Sequence, residues 1–392
     1  MSGVSPYAAR VTSTRLTRPA ARDALAGDLT RRLSGTAGCG PLDVLRTAAS
    51  VLLAAVPADV WCAVMFDPAT LLDTGGLHEH GFPDEVMPRL FEIEHAEQAG
   101  ADNIRALARR ASPVSLLSRS AGPDLTGNVY YRDVLRPAGL ADELRVLLRD
   151  GRRAWGLLAL CREAGAPPFT AADVDLAAAA VAPTTTALRR SLLVSGAAAD
   201  DGEVPDAAGL VVLDDDRRVR MSTSTAERWL GLVQEARAGG DAGHPRALGA
   251  LAGRARTAGP GVQVRSRALT RTGQWVTLSG WREKAGAEEL TYVALTPSTP
   301  GELTAIVLDA YGLTPRERDV AQRVLLGRST AEVAAELHIA EYTVQDHLRK
   351  VFDKAGVRSR REFSGELFRR CYLPRLADPP LTTDGRLRTR AG

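Results

Sequence analysis

LTPRERDVAQRVLLGRSTAEVAAELHIAEYTVQDHLRKVFDKAGVRSRRE, residues 313–362, is punctuated as a run of short helices. Three times a Ser or Thr is followed three residues later by Glu: Thr314/Glu317, Ser329/Glu332 and Ser359/Glu362. In such a capping box the hydroxyl accepts from the third helical amide while the glutamate reaches back to the cap. Pro315 follows the first cap, where its missing amide donor costs nothing. Gly327 and Gly356 stand where two helices should stop in the left-handed conformation. These signals predict helices near 315–326, 330–337, 341–355 and 359–368.

The second and third helices are joined only by about His338–Ala340, the tight turn of a helix-turn-helix. In the third, Val344, Leu348, Val351 and Ala355 recur at i, i+4, i+7 and i+11 and form the inward face. Gln345, Asp346, Arg349, Lys350, Asp353 and Lys354 are left outside, a hydrophilic face with two of the chain's three lysines (Lys284, Lys350, Lys354). A charged face is commonly just solvated. A short scaffold helix, a three-residue turn and a longer basic helix are also the geometry that fits a major groove.

The residues LTPRERDV, AEVAAEL, TVQDHL and KAGVRSRRE closely resemble LuxR-type (GerE) helix-turn-helix domains over all of 313–368. The resemblance implies an all-α four-helix domain at 306–371 that binds double-stranded DNA as a homodimer and has RNA polymerase as a further partner. It assigns base reading to Gln345, Asp346 and Arg349, and phosphate contact to Thr343, Lys350, Lys354, Arg358 and Arg360. Val344 offers an apolar contact to a thymine methyl. His347 reads as a packed, hydrogen-bonded helix residue rather than a base reader. Where the family has Ser or Thr capping the recognition helix, this chain has Ala340, a loss of about 1 kcal/mol of local helix stability. Asp346 would repel phosphates unless it accepts from a cytosine amino group or pairs with Lys350 at i+4.

Outward from this segment the chain reads as further domains. At 392 residues it is too long for one ordinary core. Hydrophobic content of 45% and charged content of 25% are those of a soluble globular protein. A net charge of only +3 excludes a polycation that coats nucleic acid indiscriminately. Val194–Asp206, small and acidic, and Thr296–Glu302, with two prolines, read as linkers. The expected organisation is a flexible arm at 1–36, α+β blocks at 37–193 and 207–297, the helical domain at 306–371, and a disordered tail at 372–392.

In the first block Asp43–Ala55 has helical apolar spacing, and Trp61–Phe66 reads as a strand. Leu144–Leu148, Asp150-Gly151 and Trp155–Cys161 form a hairpin, and Thr170 caps a closing helix that ends near Arg190. The run LADELRVLLRDGRRAWGLLALCREAGAPPFTAADVDLAAAAVAP resembles the last half of a GAF domain, which implies a sensory or dimerising module. Trp61, Tyr130, Tyr131 and Trp155 are candidates for pocket walls, with core packing the competing reading. In the second block, strands at Gly209–Leu213, Gly273–Ser279 and Leu290–Leu295 and a helix at Thr225–Leu232 resemble a PAS domain.

No catalytic constellation emerges. GTAGCG at 35–40 is followed by no Gly-Lys-Ser/Thr, and neither a G-x-S-x-G elbow nor a kinase signature occurs. His78-Glu79-His80 with Glu92, Glu94 and His95 is the one candidate metal cluster, and a solvated loop is the simpler reading. Cys39, Cys62, Cys161 and Cys371 are scattered, as for reduced thiols in the cytoplasm. The apolar stretch near Val51–Met65 is broken by Pro57 and Asp59 and cannot span a bilayer. The expectation is a cytoplasmic, cofactor-free, non-enzymatic transcription regulator controlled by an unknown small-molecule signal. The alternative is a GAF/PAS protein-interaction module that sequesters a partner; its third helix should then be apolar at Gln345, Arg349 and Lys350.

Overall fold

The computed structural model of the chain describes residues 18–373 apart from 37, 79, 99, 101, 123, 152, 196–204, 206, 238–243, 260 and 287. It opens with α1 (Arg18–Ser34), in the region expected to be a flexible arm. Leu25, Leu29 and Leu33, at i, i+4 and i+8, supply the apolar stripe that docks this helix, and all three are buried. Residues 1–17 and the expected tail from 374 onward lie outside the described residues.

The first block continues through α2 (Pro41–Ala55), β1 (Val60–Phe66), β2 (Asp73–His78), α3 (Met87–Phe91), α4 (Ile104–Arg109), β3 (Val114–Leu116), α5 (Leu117–Ser120), β4 (Leu140–Asp150), β5 (Arg153–Glu163) and α6 (Ala171–Ser195). Glu92–Glu97 extends α3 as a π-helical turn, and Tyr131–Leu135 forms another. Alternation along β1 sorts the side chains. Ala63 and Met65 join Leu29, Leu45, Leu52 and Leu188 in a core under α1, α2 and α6. Cys62, Val64 and Phe66 face the opposite core with Phe91, Leu107, Tyr130 and Leu147.

The second block comprises β6 (Gly209–Leu213), β7 (Val219–Ser222), α7 (Ser224–Leu232), β8 (Glu235–Arg237), α8 (Arg246–Thr257), β9 (Val264–Leu269), β10 (Trp275–Ala285) and β11 (Glu288–Pro297). Five of the strands form an antiparallel sheet in the order β7-β6-β11-β10-β9. Trp229, fully buried, packs with Leu251, Val276, Leu278 and Val293 beneath α7 and α8.

The blocks read from sequence as separate are sewn together. β8 leaves its own sheet and pairs in parallel with β2, completing the first sheet as β3-β4-β5-β1-β2-β8. Arg267 of β9 grips Asp67, 1% exposed in the turn after β1, with its Nη2 2.6 Å and its Nε 2.8 Å from the carboxylate oxygens. Gly249 and Gly253 of α8 leave room for Phe91: a Cβ on Gly249 would stand 2.7 Å from its ring.

The helical region is α9 (Pro300–Ala310), α10 (Pro315–Leu325), α11 (Thr330–Leu337), α12 (Glu341–Ala355) and α13 (Arg360–Cys371). The expected linker at Thr296–Glu302 is instead the end of β11 and the start of α9, capped by a complete box between Thr299 and Glu302. Asp309 of α9 meets Arg153 of β5 at 2.9 Å, and Arg370 of α13 donates to the Leu193 carbonyl of α6 at 2.6 Å. The helical domain is therefore seated on the first block. Among the described residues no helix is long and apolar enough to cross a membrane.

Candidate nucleic-acid interface

Local capping builds the site. Thr314 with Glu317, and Ser329 with Glu332, close reciprocal boxes at the starts of α10 and α11. The third box differs from expectation: Ser359 accepts from the Glu362 amide, but Glu362 turns to the Arg358 amide at 2.8 Å. α11 stops at His338, whose φ of 53° is left-handed for a residue that carries a Cβ. Two residues later α12 begins at Ala340 with no side-chain cap, as the sequence indicated. Val333, Leu337, Val344, Leu348 and Val351 lock α11 and α12 into one core with Phe363 of α13.

The structure divides the residues proposed to meet DNA. Gln345, Arg349, Lys350 and Arg358 are exposed, and Thr343 and Asp346 are half-buried. The guanidiniums of Arg349 and Arg358 have no hydrogen-bond or ion-pair partner among the described residues. Val344 does not belong with them. It is 0% exposed and packed in the domain core, so it has no surface to offer a thymine methyl. The heptad reading that put Val344 on the inward face was the correct one, and the groove contact assigned to it is withdrawn.

Lys354 and Arg360 are also committed elsewhere. The Lys354 ammonium lies 2.6 Å from Glu317 and donates to the Gly312 carbonyl at 3.1 Å, tying α12 to the start of α10. Arg360 donates to the Arg328 carbonyl and the Thr330 hydroxyl, holding α13 to the start of α11. Both side chains thus hold the domain together, a role that their reading as phosphate contacts did not include. Burial pushes the Glu317 carboxyl up, but the hydrogen bond from Lys354 and the capping bonds hold it below its ordinary value of 4.5. A depressed folded value means that the pair's contribution is complete at neutral pH and is lost as pH falls below about 4.5 towards the folded value. Lys354→Met is expected to cost about 1–2 kcal/mol of domain stability, because Lys354 is a third exposed while its partner is nearly buried. Urea titrations at pH 7 and at progressively lower pH from 4.5 down test this: the variant should lose stability at pH 7, and its deficit should narrow as the pH falls through the folded value.

Asp346 has found the i+4 partner open to it: its carboxylate lies 2.8 Å from the Lys350 ammonium. That hydrogen bond lowers the Asp346 carboxyl and raises the Lys350 ammonium from their ordinary values. Lys350 is exposed and Asp346 half-buried, and the pair masks one cation on the outer face. Asp346→Asn is expected to release Lys350 and steepen the log–log salt dependence of DNA affinity by roughly 0.9, the contribution of one further phosphate contact. An unchanged slope in salt-titrated binding would show that Lys350 already reaches phosphate. His347 is half-buried, but its Nδ1 is buried without a hydrogen-bond partner, so it packs without the bond expected of it.

Of the aromatic residues proposed for a ligand pocket, only Tyr130 lines the cavity on the α3/α4 side of the first sheet. Trp155 is sealed in the opposite core, Trp61 packs against that same core, and Tyr131 lies at the rim of the cavity-side core. Trp155 sits where the β4–β5 register slips, between the Leu148–Gly156 and Arg149–Ala154 pairs, which puts it opposite to the expected side. His78, Glu94 and His95 from the candidate metal cluster do line the cavity; His80 instead lies tilted against Trp61, their ring centres 5.5 Å apart. Glu79 lies outside the described residues. Among the described residues no group of three or more His, Cys, Asp or Glu is placed to hold a metal ion.

Comparison with known proteins matches two regions. Residues 312–364 match the model for bacterial regulatory proteins of the luxR family, and residues 40–188 match that for the GAF domain. The probable HTH-type transcriptional regulator GfsR of Streptomyces halstedii is 37% identical over 78 residues, 19% of this chain and 32% of that protein. The probable transcriptional regulatory protein NarL of Mycobacterium tuberculosis is 38% identical over 61 residues, 16% of this chain and 28% of that protein. The chain thus spans about a third or less of the length of these two relatives. The spore germination protein GerE of Bacillus subtilis is 40% identical over 57 residues, which are 14% of this chain but 77% of that shorter protein. With GerE matched along most of its length and the family's pattern falling on α10, α11 and α12, this chain belongs to the luxR family of bacterial regulatory proteins.

Proposed function

We propose that the protein is a sequence-specific DNA-binding transcription regulator in which α12 enters the major groove. The observation that carries this reading is the outer face of α12. Gln345 and Arg349 stand exposed on a helix presented by a tight turn, with Lys350 beside them and Arg358 just beyond its end. Arg349 is a bidentate donor of the kind that reads guanine, and Gln345 can donate to N7 and accept from N6 of adenine. Thr343 and Asp346 complete the base and phosphate set. Tyr342 is the one large apolar side chain exposed on α12, too little for an apolar patch, which weighs against a helix that serves only for protein contact.

The signal enters, in this reading, through the first two blocks, 37–193 and the PAS-like 207–297. The protein works as a homodimer in the cytoplasm, and RNA polymerase is its expected downstream partner. Phe368 and Tyr372, stacked at 5.8 Å and exposed beside Leu373 at the end of α13, offer one apolar surface for pairing two helical domains.

Selection of random duplexes by the purified full-length chain at two salt concentrations tests the proposal. An enriched inverted repeat is expected. Arg349→Ala should lose about 1–3 kcal/mol, roughly 5- to 150-fold in affinity, concentrated at one base pair per half-site. Absence of salt-sensitive binding, or an Arg349→Ala variant with an unaltered motif, would refute the assignment.

A further inference from the structure

The first sheet and the segments that cover its far side line an open-mouthed cavity of about 40 Å³, or about 440 Å³ of empty space with the open mouth counted. Its walls are mostly apolar, with Val64, Phe66, Phe82, Met87, Ile104 and Leu157 among them. Set into these walls are three carboxylates, from Asp73, Glu94 and Glu143, against two guanidiniums, from Arg145 and Arg246.

Most of this charge is already paired. Arg145 lies 2.5 Å from Glu94 and 2.7 Å from Glu143, and the Tyr130 hydroxyl donates to Glu143 at 3.2 Å. Glu94 also accepts from the Asn103 side chain and the Ile104 amide, each at 3.1 Å. Arg246 reaches in from α8 of the second block, with its Nη1 3.2 Å from the His78 Nδ1 and its Nη2 donating to the Phe82 carbonyl at 3.0 Å.

Asp73 and His95 remain, together with the Arg246 Nε, which is also buried without a hydrogen-bond partner among the described residues. Asp73 is 6% exposed and His95 0%, and their nearest atoms, Oδ1 and Nε2, are 3.6 Å apart, too far for a hydrogen bond. Among the described residues, Asp73 Oδ1 and both His95 ring nitrogens are buried without a hydrogen-bond partner. Buried polar atoms of this kind are rare in folded proteins, and here they lie together in the wall of a cavity. A neutral imidazole can take one hydrogen bond and give one, whereas a carboxylate only accepts. The missing partner must therefore donate, and the surplus carboxylate asks that it be positive. The Phe91 ring, stacked on His95 at 5.9 Å, and Phe66 extend the aromatic surroundings beside this pair.

We infer that the cavity is a binding site for a small primary amine with an apolar body, its ammonium held between Asp73 and His95. The body lies along the apolar walls under β1 and β5. Arg246 and the β2–β8 pairing make the second block part of the site's enclosure, so occupancy is felt in both blocks. The inference rests on, and deepens, the sensing role proposed above.

Calorimetric titration of the full-length protein tests it, using 2-phenylethylamine, hexylamine and benzylamine. Phenylacetate, hexanoate and ethylbenzene serve as matched anionic and uncharged probes. At least one amine should bind saturably, roughly tenfold or more tighter than its matched probes, and Asp73→Asn should remove that preference. Should Asp73→Asn fail to fold, Ala159→Leu fills the cavity from β5 and should abolish amine binding. Amines that all fail to bind folded protein, or acids that bind as tightly as amines, overturn the site, as does binding indifferent to a folded Asp73→Asn or Ala159→Leu variant. Duplex affinity measured with and without the bound amine separates the two readings. Binding that leaves DNA affinity unaltered keeps the site and removes the sensing role. An enriched operator without amine binding keeps the regulator and removes the site.

Discussion

Replacing Arg145 by methionine is expected to cost the chain about 3–5 kcal/mol of stability, the usual consequence of stripping one partner from a buried ion pair. Arg145 is 4% exposed in the middle of β4, and its guanidinium does four things at once. It meets Glu94 and Glu143, donates to the Asp102 carbonyl at 2.8 Å, and lies over the Tyr130 ring at 4.5 Å. Burial opposes its charge, but Glu143 and Glu94 more than compensate and hold its pKa well above the ordinary value. Methionine fills much of the volume and supplies none of the charge, so two buried carboxylates lose their counterion. Both must then take up protons or draw in water. Urea denaturation followed by tryptophan fluorescence measures the loss, with Trp61 and Trp155 reporting on the first block. The control is the triple variant Glu94→Gln, Glu143→Gln, Arg145→Met, expected to recover much of the loss because no buried charge remains. A single variant within about 1 kcal/mol of wild type would mean that these carboxylates are not confined as described.

The sequence and the structure agree most closely where the governing signals are local. A capping box, a first-turn proline and a stop glycine act within a few residues of one another, so the bounds of α10, α11 and α12 were legible within about a residue. The same grammar stands at Thr299-Pro300-Gly301-Glu302, but two prolines in a short span drew the reading towards a linker, and α9 was missed. α1 was missed because its three leucines lie among arginines, aspartates and threonines, and the stripe acquires meaning only once α6 is there to receive it. Within the site, exposure on α12 was readable from helical periodicity. The engagement of Lys354 with Glu317 and of Arg360 with Thr330 was not, since each joins residues about thirty or more apart. His78, Glu94 and His95 were legible as a group but not as a cavity wall, because their convergence depends on the π-helical turn after α3 packing under the sheet.

Gly75→Ala is expected to break the seam between the first two blocks at a cost of about 2–6 kcal/mol. Gly75 has a φ of +133°, where a side chain is strained, an effect of about 1–3 kcal/mol. Its added Cβ would also stand 2.2 Å from the Gln234 carbonyl oxygen, just ahead of β8, a clash that asks for backbone movement and a further 1–3 kcal/mol. That carbonyl accepts from the Gly76 amide at 2.9 Å and leads β8 into its pairing with β2. The methyl group therefore strikes at the junction itself. The expected outcome is a change in the form of unfolding as well as its midpoint. The second block keeps its own sheet and the buried Trp229, so it can melt separately once β8 no longer binds β2. Calorimetry should show one cooperative transition of the two blocks in wild type resolving into two in the variant. Arg267→Met severs the other clamp, at Asp67, and should weaken the seam without the backbone clash. If Gly75→Ala leaves a single transition at an unchanged temperature, β8 does not couple the blocks. They would then melt together through Asp67–Arg267 and the α8 contacts alone, and the control variant would be the one to divide them.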